Sequence, residues 1–384
     1  MGRVPAAKLF NQILVNRAIL PRVSRLTHHS FLSKLSFLLL AVLLAASVKG
    51  ASSSRPKRVP QNLQFEALPL ERSRQNHLLV RVEINGKRAL LGVDTGAPVS
   101  AIALSRRRHF GLTAIPGSSK LPARLRINGA FNRVAIAHTI RLGALNLVDE
   151  PMVAIDLSGS ARAAREFDEQ ELDGILGADI LFPTEAVIDC ETPMLILKMD
   201  PDRPGGVPGM DHRGWQGVPM NVSRGWNLYV DGKVNGKVAK LMVDTGAFTT
   251  LLHRPFVKQM RIPLRNTPYT SGGVNLQERG MQLATIKRLS IGSFEIKGKE
   301  VGVMDLNGLI HGGLLEGSPP VAGLLGSEFL RRNHGIIDFG TRTLYLRRCE
   351  SEPTFAIQYR FLARAFACGS FRPGCATYRQ IPLP

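Results

Sequence analysis

The chain has 384 residues, 44% of them hydrophobic, with 37 glycines and only 6% aromatics. That composition excludes a disordered or fibrous chain and suits a globular, turn-rich protein of two or three domains. The formal net charge of +20 does not signal nucleic-acid binding: residues 1–65 hold ten Lys or Arg and no Asp or Glu, a basic tail adds a net two, and about +8 is left for the body between. No aromatic residues interleave with the basic ones in the manner that stacks bases.

Residues 1–50 read as a signal or targeting segment. A basic region runs to Lys34, and the apolar run Leu35 to Val48 follows, free of charge for 14 residues. Small residues after it offer cleavage positions, and the run is too short to span a bilayer comfortably. Export is therefore expected, to a secreted or periplasmic location. An uncleaved membrane anchor and an Arg-rich organelle transit peptide are the rival readings, and any membrane contact is expected only through this segment. Residues 51–75 read as an exposed lead-in.

From residue 76 the chain repeats itself. Leu79 to Ile84 alternates as a strand, Asn85-Gly86 is a hairpin signal, and Ala89 to Val93 is a second strand ending at Asp94. Leu228 to Val234, Asn235-Gly236 and Ala239 to Val243 copy this pattern and end at Asp244. The two aspartates lie 150 positions apart, and each opens the triplet Asp-Thr-Gly: Asp94-Thr95-Gly96 and Asp244-Thr245-Gly246. Farther on, Ile175-Leu176-Gly177 matches Leu324-Leu325-Gly326 at a spacing of 149, and a short helical stretch is expected after each of these glycines. Val187-Ile188-Asp189 and Ile336-Ile337-Asp338 then precede the final strands Met194 to Leu197 and Thr343 to Leu346. The units are set at 76–198 and 226–348, mostly β-strand. The Gly/Pro-rich stretch 199–225 between them reads as an exposed linker, and 349–384 as a basic, Cys-containing tail.

One Asp-Thr-Gly is weak evidence, arising by chance in roughly one chain of this length in ten to twenty. Two copies at matched offsets from a second repeated motif point to a site. An aspartate leaving a strand for a crowded turn needs a glycine that lets other groups approach closely. A threonine inside an apolar run has a hydroxyl that can bond backbone across a symmetry axis.

These residues resemble the active-site loops of aspartic proteases of the retroviral, retropepsin-like type, and residues 323–346 are closely similar to that family's C-terminal portion. The resemblance covers about 77–197 and 226–347. It implies an all-β fold of two similar closed β-barrel lobes related by pseudo-twofold symmetry, each with one short helix, fused in one chain. It also implies an aspartic endopeptidase acting on a peptide or protein substrate. Asp94 and Asp244 would be the catalytic pair. Thr95, Gly96, Thr245, Gly246, Gly177 and Gly326 would support it, with no metal and no other cofactor. A glycine-bearing hairpin closes over substrate in this family; Asn128-Gly129 and Gly272-Gly273 are the candidates, though neither has an aromatic at an obvious place. A non-catalytic peptide-binding module on the same scaffold is the alternative function. A monomer is expected, with pairing of lobes between chains as the alternative arrangement.

Other candidates have ordinary readings. Cys190, Cys349, Cys368 and Cys375 allow three full pairings, which spacing does not choose among. His253, His311 and His334 lack partners at metal-ligand spacing and read as solvated or core histidines. Asn221-Val222-Ser223 fits a glycosylation sequon. The glycine-rich stretch 312–326 lacks the Lys-Ser/Thr of a phosphate loop.

Overall fold

The structure is a computed structural model that describes residues 64–114, 124–127, 130–200, 212–223, 226–268, 280–311 and 321–347. The leader with its apolar run and the tail with Cys349, Cys368 and Cys375 lie outside the described residues.

Each repeat folds as a six-stranded closed barrel. In the first, the order around the barrel is Leu78–Ile84, Lys87–Val93, Gly174–Leu176, Ala101–Ala103, Leu145–Ile155 and Ala130–Leu142. The last strand returns to the first, Ile84 facing Ile140, and shuts the ring. The second barrel repeats the order with Leu228–Val234, Lys237–Val243, Val321–Leu325, Leu251–His253, Phe294–Met304 and Gln282–Ile291, closing where Gly232 faces Ile291. Closure leaves no free edge among these strands and encloses an apolar interior. Leu78, Val80, Val82 and Ile84 alternate into it from one strand, and Leu228, Val230 and Val234 do so from its counterpart.

Both Asn-Gly pairs turn as the sequence predicts. Asn85 and Gly86 have φ of 48° and 76°, and Asn235 and Gly236 have 49° and 85°. Two consecutive positive φ values match the right-handed twist of the flanking strands, and Asn followed by Gly tolerates them best.

A third sheet joins the barrels. Its order is Phe65–Pro69, Met194–Lys198, Val187–Asp189, Ile336–Asp338, Thr343–Leu346, Gln216–Pro219. At its centre the two repeats pair antiparallel, Ile188 facing Ile337 and Val187 facing Asp338. Ile188 and Ile337 are equivalent positions in the repeat, so the pseudo-twofold axis passes through that pair.

The outer strands of this sheet correct two expectations. Part of 51–75 is not an exposed lead-in, because Phe65–Pro69 pairs with Met194–Lys198 and Leu68 and Leu70 are buried. The end of 199–225 is not an exposed linker, because Gln216–Pro219 pairs with Thr343–Leu346 and Val218 and Met220 are buried. Residues 201–211 lie outside the described residues. The physical reason is shared. Ala67-Leu68-Pro69-Leu70 and Gly217-Val218-Pro219-Met220 are edge segments, where a proline lacking an N–H is tolerated while flanking aliphatics still reach the core.

Short helices follow Gly177 (Ala178–Leu181) and Gly326 (Ser327–Arg332), as expected. Beyond the one helix foreseen per lobe, the first adds Ser158–Glu166, and the second adds Arg254–Gln259 and Asn307–His311. Cys190 is a buried free thiol. His253 is a core histidine whose Nδ1 accepts the Leu306 N–H at 3.1 Å, and His334 is buried against Glu191.

Candidate active site

The two Asp-Thr-Gly loops meet on the pseudo-twofold axis. Each aspartate leaves its strand at the point where the partner strand of its own barrel runs parallel beside it. The Asp94 N–H donates to the Leu176 carbonyl and the Asp244 N–H to the Leu325 carbonyl, both at 3.0 Å. The chain then turns back on the carboxylate. Asp94 Oδ1 accepts the N–H groups of Gly96 (2.8 Å) and Ala97 (3.1 Å), and Asp244 Oδ1 accepts those of Gly246 (2.9 Å) and Ala247 (3.1 Å).

The threonines lock the loops to each other across the lobes. Thr95 Oγ1 donates to the Val243 carbonyl at 2.8 Å and accepts the Thr245 N–H at 3.1 Å. Thr245 Oγ1 donates to the Val93 carbonyl at 2.7 Å and accepts the Thr95 N–H at 3.0 Å. Both side chains are fully buried. Four reciprocal bonds thus fix the spacing of the two loops, and each satisfies a backbone group that burial would otherwise leave unpaired.

The glycines bring the carboxyls together. A Cβ on Gly96 would fall 2.7 Å from the Asp244 carboxyl carbon, and one on Gly246 would sit closer still to that of Asp94. Each carboxyl therefore rests on the other lobe's glycine, which sets the two side by side. Gly177 and Gly326 serve the same closeness one layer below. A Cβ on Gly177 would meet the Val99 carbonyl carbon at 2.6 Å, and one on Gly326 would press on the Thr249 carbonyl.

Burial raises both carboxyls above the usual aspartate value, and the charge of Asp94 pushes Asp244 further up. The backbone N–H donors oppose this in both cases. Two carboxyls set this close disfavour each other's ionisation. Asp244 is the deeper of the two, at 8% exposure, while Asp94 is only partly buried.

The structure thus unites Asp94, Thr95, Gly96, Asp244, Thr245 and Gly246, with Gly177 and Gly326 packed beneath. Asn128 and Gly129 lie outside the described residues, although the strands on either side pair as a hairpin with Ile127 facing Ala130. Gly272 and Gly273 also lie outside them.

Several supporting residues escaped sequence reasoning. In the first lobe Ser100 donates through both N–H (2.9 Å) and Oγ (2.7 Å) to buried Asp179, and its Oγ accepts the Gly177 N–H at 3.0 Å. In the second, Lys299 is 3.0 Å from Glu328, with side chains only 6% and 12% exposed, and Ser327 Oγ donates to the Thr245 carbonyl at 2.8 Å. The available signal was an acid two residues after each repeated glycine, Asp179 and Glu328, inside otherwise apolar stretches. A charge at such a place requires a buried partner.

A family model described as aspartyl protease matches the chain twice, over residues 80–180 and 230–329. No curated protein matches the chain.

Proposed function

The chain belongs to the aspartyl protease family, and from that premise we propose that it is an endopeptidase whose Asp94 and Asp244 form the catalytic pair. The observation that carries the reading is the close approach of these two carboxyls, one from each barrel, each resting on the other lobe's glycine. With one proton shared, the ionised member takes a proton from a water molecule held between the pair. The resulting nucleophile attacks the substrate carbonyl, while the protonated member donates to the developing oxyanion. The tetrahedral species then collapses, the leaving nitrogen is protonated, and the pair returns to its one-proton state. Two carboxyls and a water suffice, and no covalent enzyme intermediate forms. One chain supplies both carboxyls, so a monomer is sufficient for activity on this reading.

The test is digestion of a peptide library by the full chain and by Asp94→Asn and Asp244→Asn. Cleavage by the wild type with an optimum on the acid side, blocked by a statine-type inhibitor and lost in both variants, is the expected result. Full activity in either variant overturns the paired mechanism. Peptide binding without turnover by the wild type at any pH makes the scaffold a binding module instead.

A further inference from the structure

The two halves of the site are nearly superimposable in sequence but differ in how the loop beneath each aspartate is braced. In the first lobe Ser100 braces it through Asp179 and Gly177. The equivalent residue in the second lobe is Thr250, whose buried hydroxyl has no hydrogen-bond partner among the described residues. There the brace is Ser327 instead. Its N–H donates to the Ala247 carbonyl at 2.7 Å and its Oγ to the Thr245 carbonyl at 2.8 Å. The first lobe has Ala178 at this position. Its N–H makes the matching bond to the Ala97 carbonyl at 2.8 Å, but it has no hydroxyl to offer the Thr95 carbonyl.

The Thr245 carbonyl and the Gly246 N–H belong to one peptide group, and that N–H donates to Asp244 Oδ1 at 2.9 Å. A hydroxyl donating to the carbonyl end of an amide polarises it and strengthens donation from the N–H end. A stronger N–H bond favours the ionised carboxylate it holds. As a residue, Asp244 is also the less exposed of the two aspartates. We propose that Ser327 is a positioning residue that offsets the burial of Asp244. Acting through the Thr245–Gly246 peptide, it keeps the shared proton balanced between two carboxyls in unequal surroundings. The inference rests on the peptidase reading for its kinetic consequence. Among the described residues, the groups that act on either carboxyl are the other carboxyl and the N–H groups of Gly96, Ala97, Gly246 and Ala247.

The experiment compares the full-length wild type with Ser327→Ala, which copies the first lobe, Ser327→Thr, which keeps the hydroxyl, and Ala178→Ser, which gives the first lobe the same brace. Two readouts are taken. One is the pH profile of kcat/KM on a peptide that the wild type cleaves. The other is a carbon-13 NMR titration of labelled aspartate carboxyls, which needs no turnover. Ser327→Ala should move the acid limb toward higher pH, lowering activity there about twofold, as expected for a modest weakening of one charge-assisted hydrogen bond in a coupled pair. Ser327→Thr should restore the wild-type limb, and Ala178→Ser should move it the opposite way. A Ser327→Ala protein that folds but titrates like the wild type overturns the proposal, as does a shift of the same sign from Ala178→Ser. If the wild type cleaves nothing, the peptidase reading fails by itself, and the carboxyl titration still decides the role of Ser327.

Discussion

Replacing Thr95 by Val tests whether the cross-lobe threonine bonds hold the site together. Valine keeps nearly the same shape, so packing changes little, but the hydroxyl is lost. Its removal strands the Val243 carbonyl and the Thr245 N–H, which Thr95 Oγ1 now serves at 2.8 and 3.1 Å. Thr95 is fully buried, so water cannot reach these groups cheaply. At about 1–3 kcal/mol for each of the two buried groups left unpaired, the loss is about 2–6 kcal/mol. That is a large part of a typical unfolding free energy of roughly 5–15 kcal/mol. Thr95→Ser is the control: it keeps the hydroxyl and gives up one buried methyl, for about 1 kcal/mol. Urea unfolding at neutral pH, followed by the fluorescence of Trp215 and Trp226, measures both. A valine variant no less stable than the serine variant would refute the argument that these bonds carry the interface.

Three further outcomes are expected. Gly246→Ala places a methyl against the Asp94 carboxyl, so peptide cleavage should fall by about 100-fold or more, as misplacement of reacting groups does. A folded Ala variant with wild-type kcat/KM would contradict the packing. Because the Asp94 and Asp244 values are raised above the ordinary 3.8, the pair favours the folded state fully below that value. This contribution is lost as pH rises through the elevated values. Asp244→Asn removes the cost of burying a carboxyl that would be ionised in the unfolded chain, so it should be more stable than the wild type at neutral pH. The difference should shrink as pH falls toward the unfolded value, and denaturation midpoints across pH would show whether it does. The Cys190 thiol is buried and pushed up to about 12. It should therefore resist iodoacetamide at mildly alkaline pH until urea unfolds the chain, and peptide mapping that finds it alkylated in the native protein would count against its burial.

The sequence disclosed the site more readily than its supports. Asp-Thr-Gly occurs twice at a fixed spacing, and the physical demands on it are local: a strand end, a close glycine and a buried hydroxyl. The Asn-Gly hairpins were legible for the same reason, since their backbone angles are set by two adjacent residues. The joining sheet was not. Its outer strands depend on pairing with Met194–Lys198 and Thr343–Leu346, more than a hundred residues away, and their prolines imitate loop composition. The clue was Ala67-Leu68-Pro69-Leu70 recurring as Gly217-Val218-Pro219-Met220 at the same spacing of 150 that relates the aspartates. Ser327 was invisible because a serine after a glycine is unremarkable until its hydroxyl is seen to meet the Thr245 carbonyl.

The pairing of Val187–Asp189 with Ile336–Asp338 has a consequence for either half expressed alone. A solitary lobe would present an open ladder of unanswered peptide groups beside a fully buried isoleucine, and such rims seek a like rim. The nearest one available is that of an identical molecule, docked through the same dyad. Each half therefore carries a strand edge that the other half answers, while Ala178 on one side and Ser327 on the other mark where the two halves of the joined chain differ.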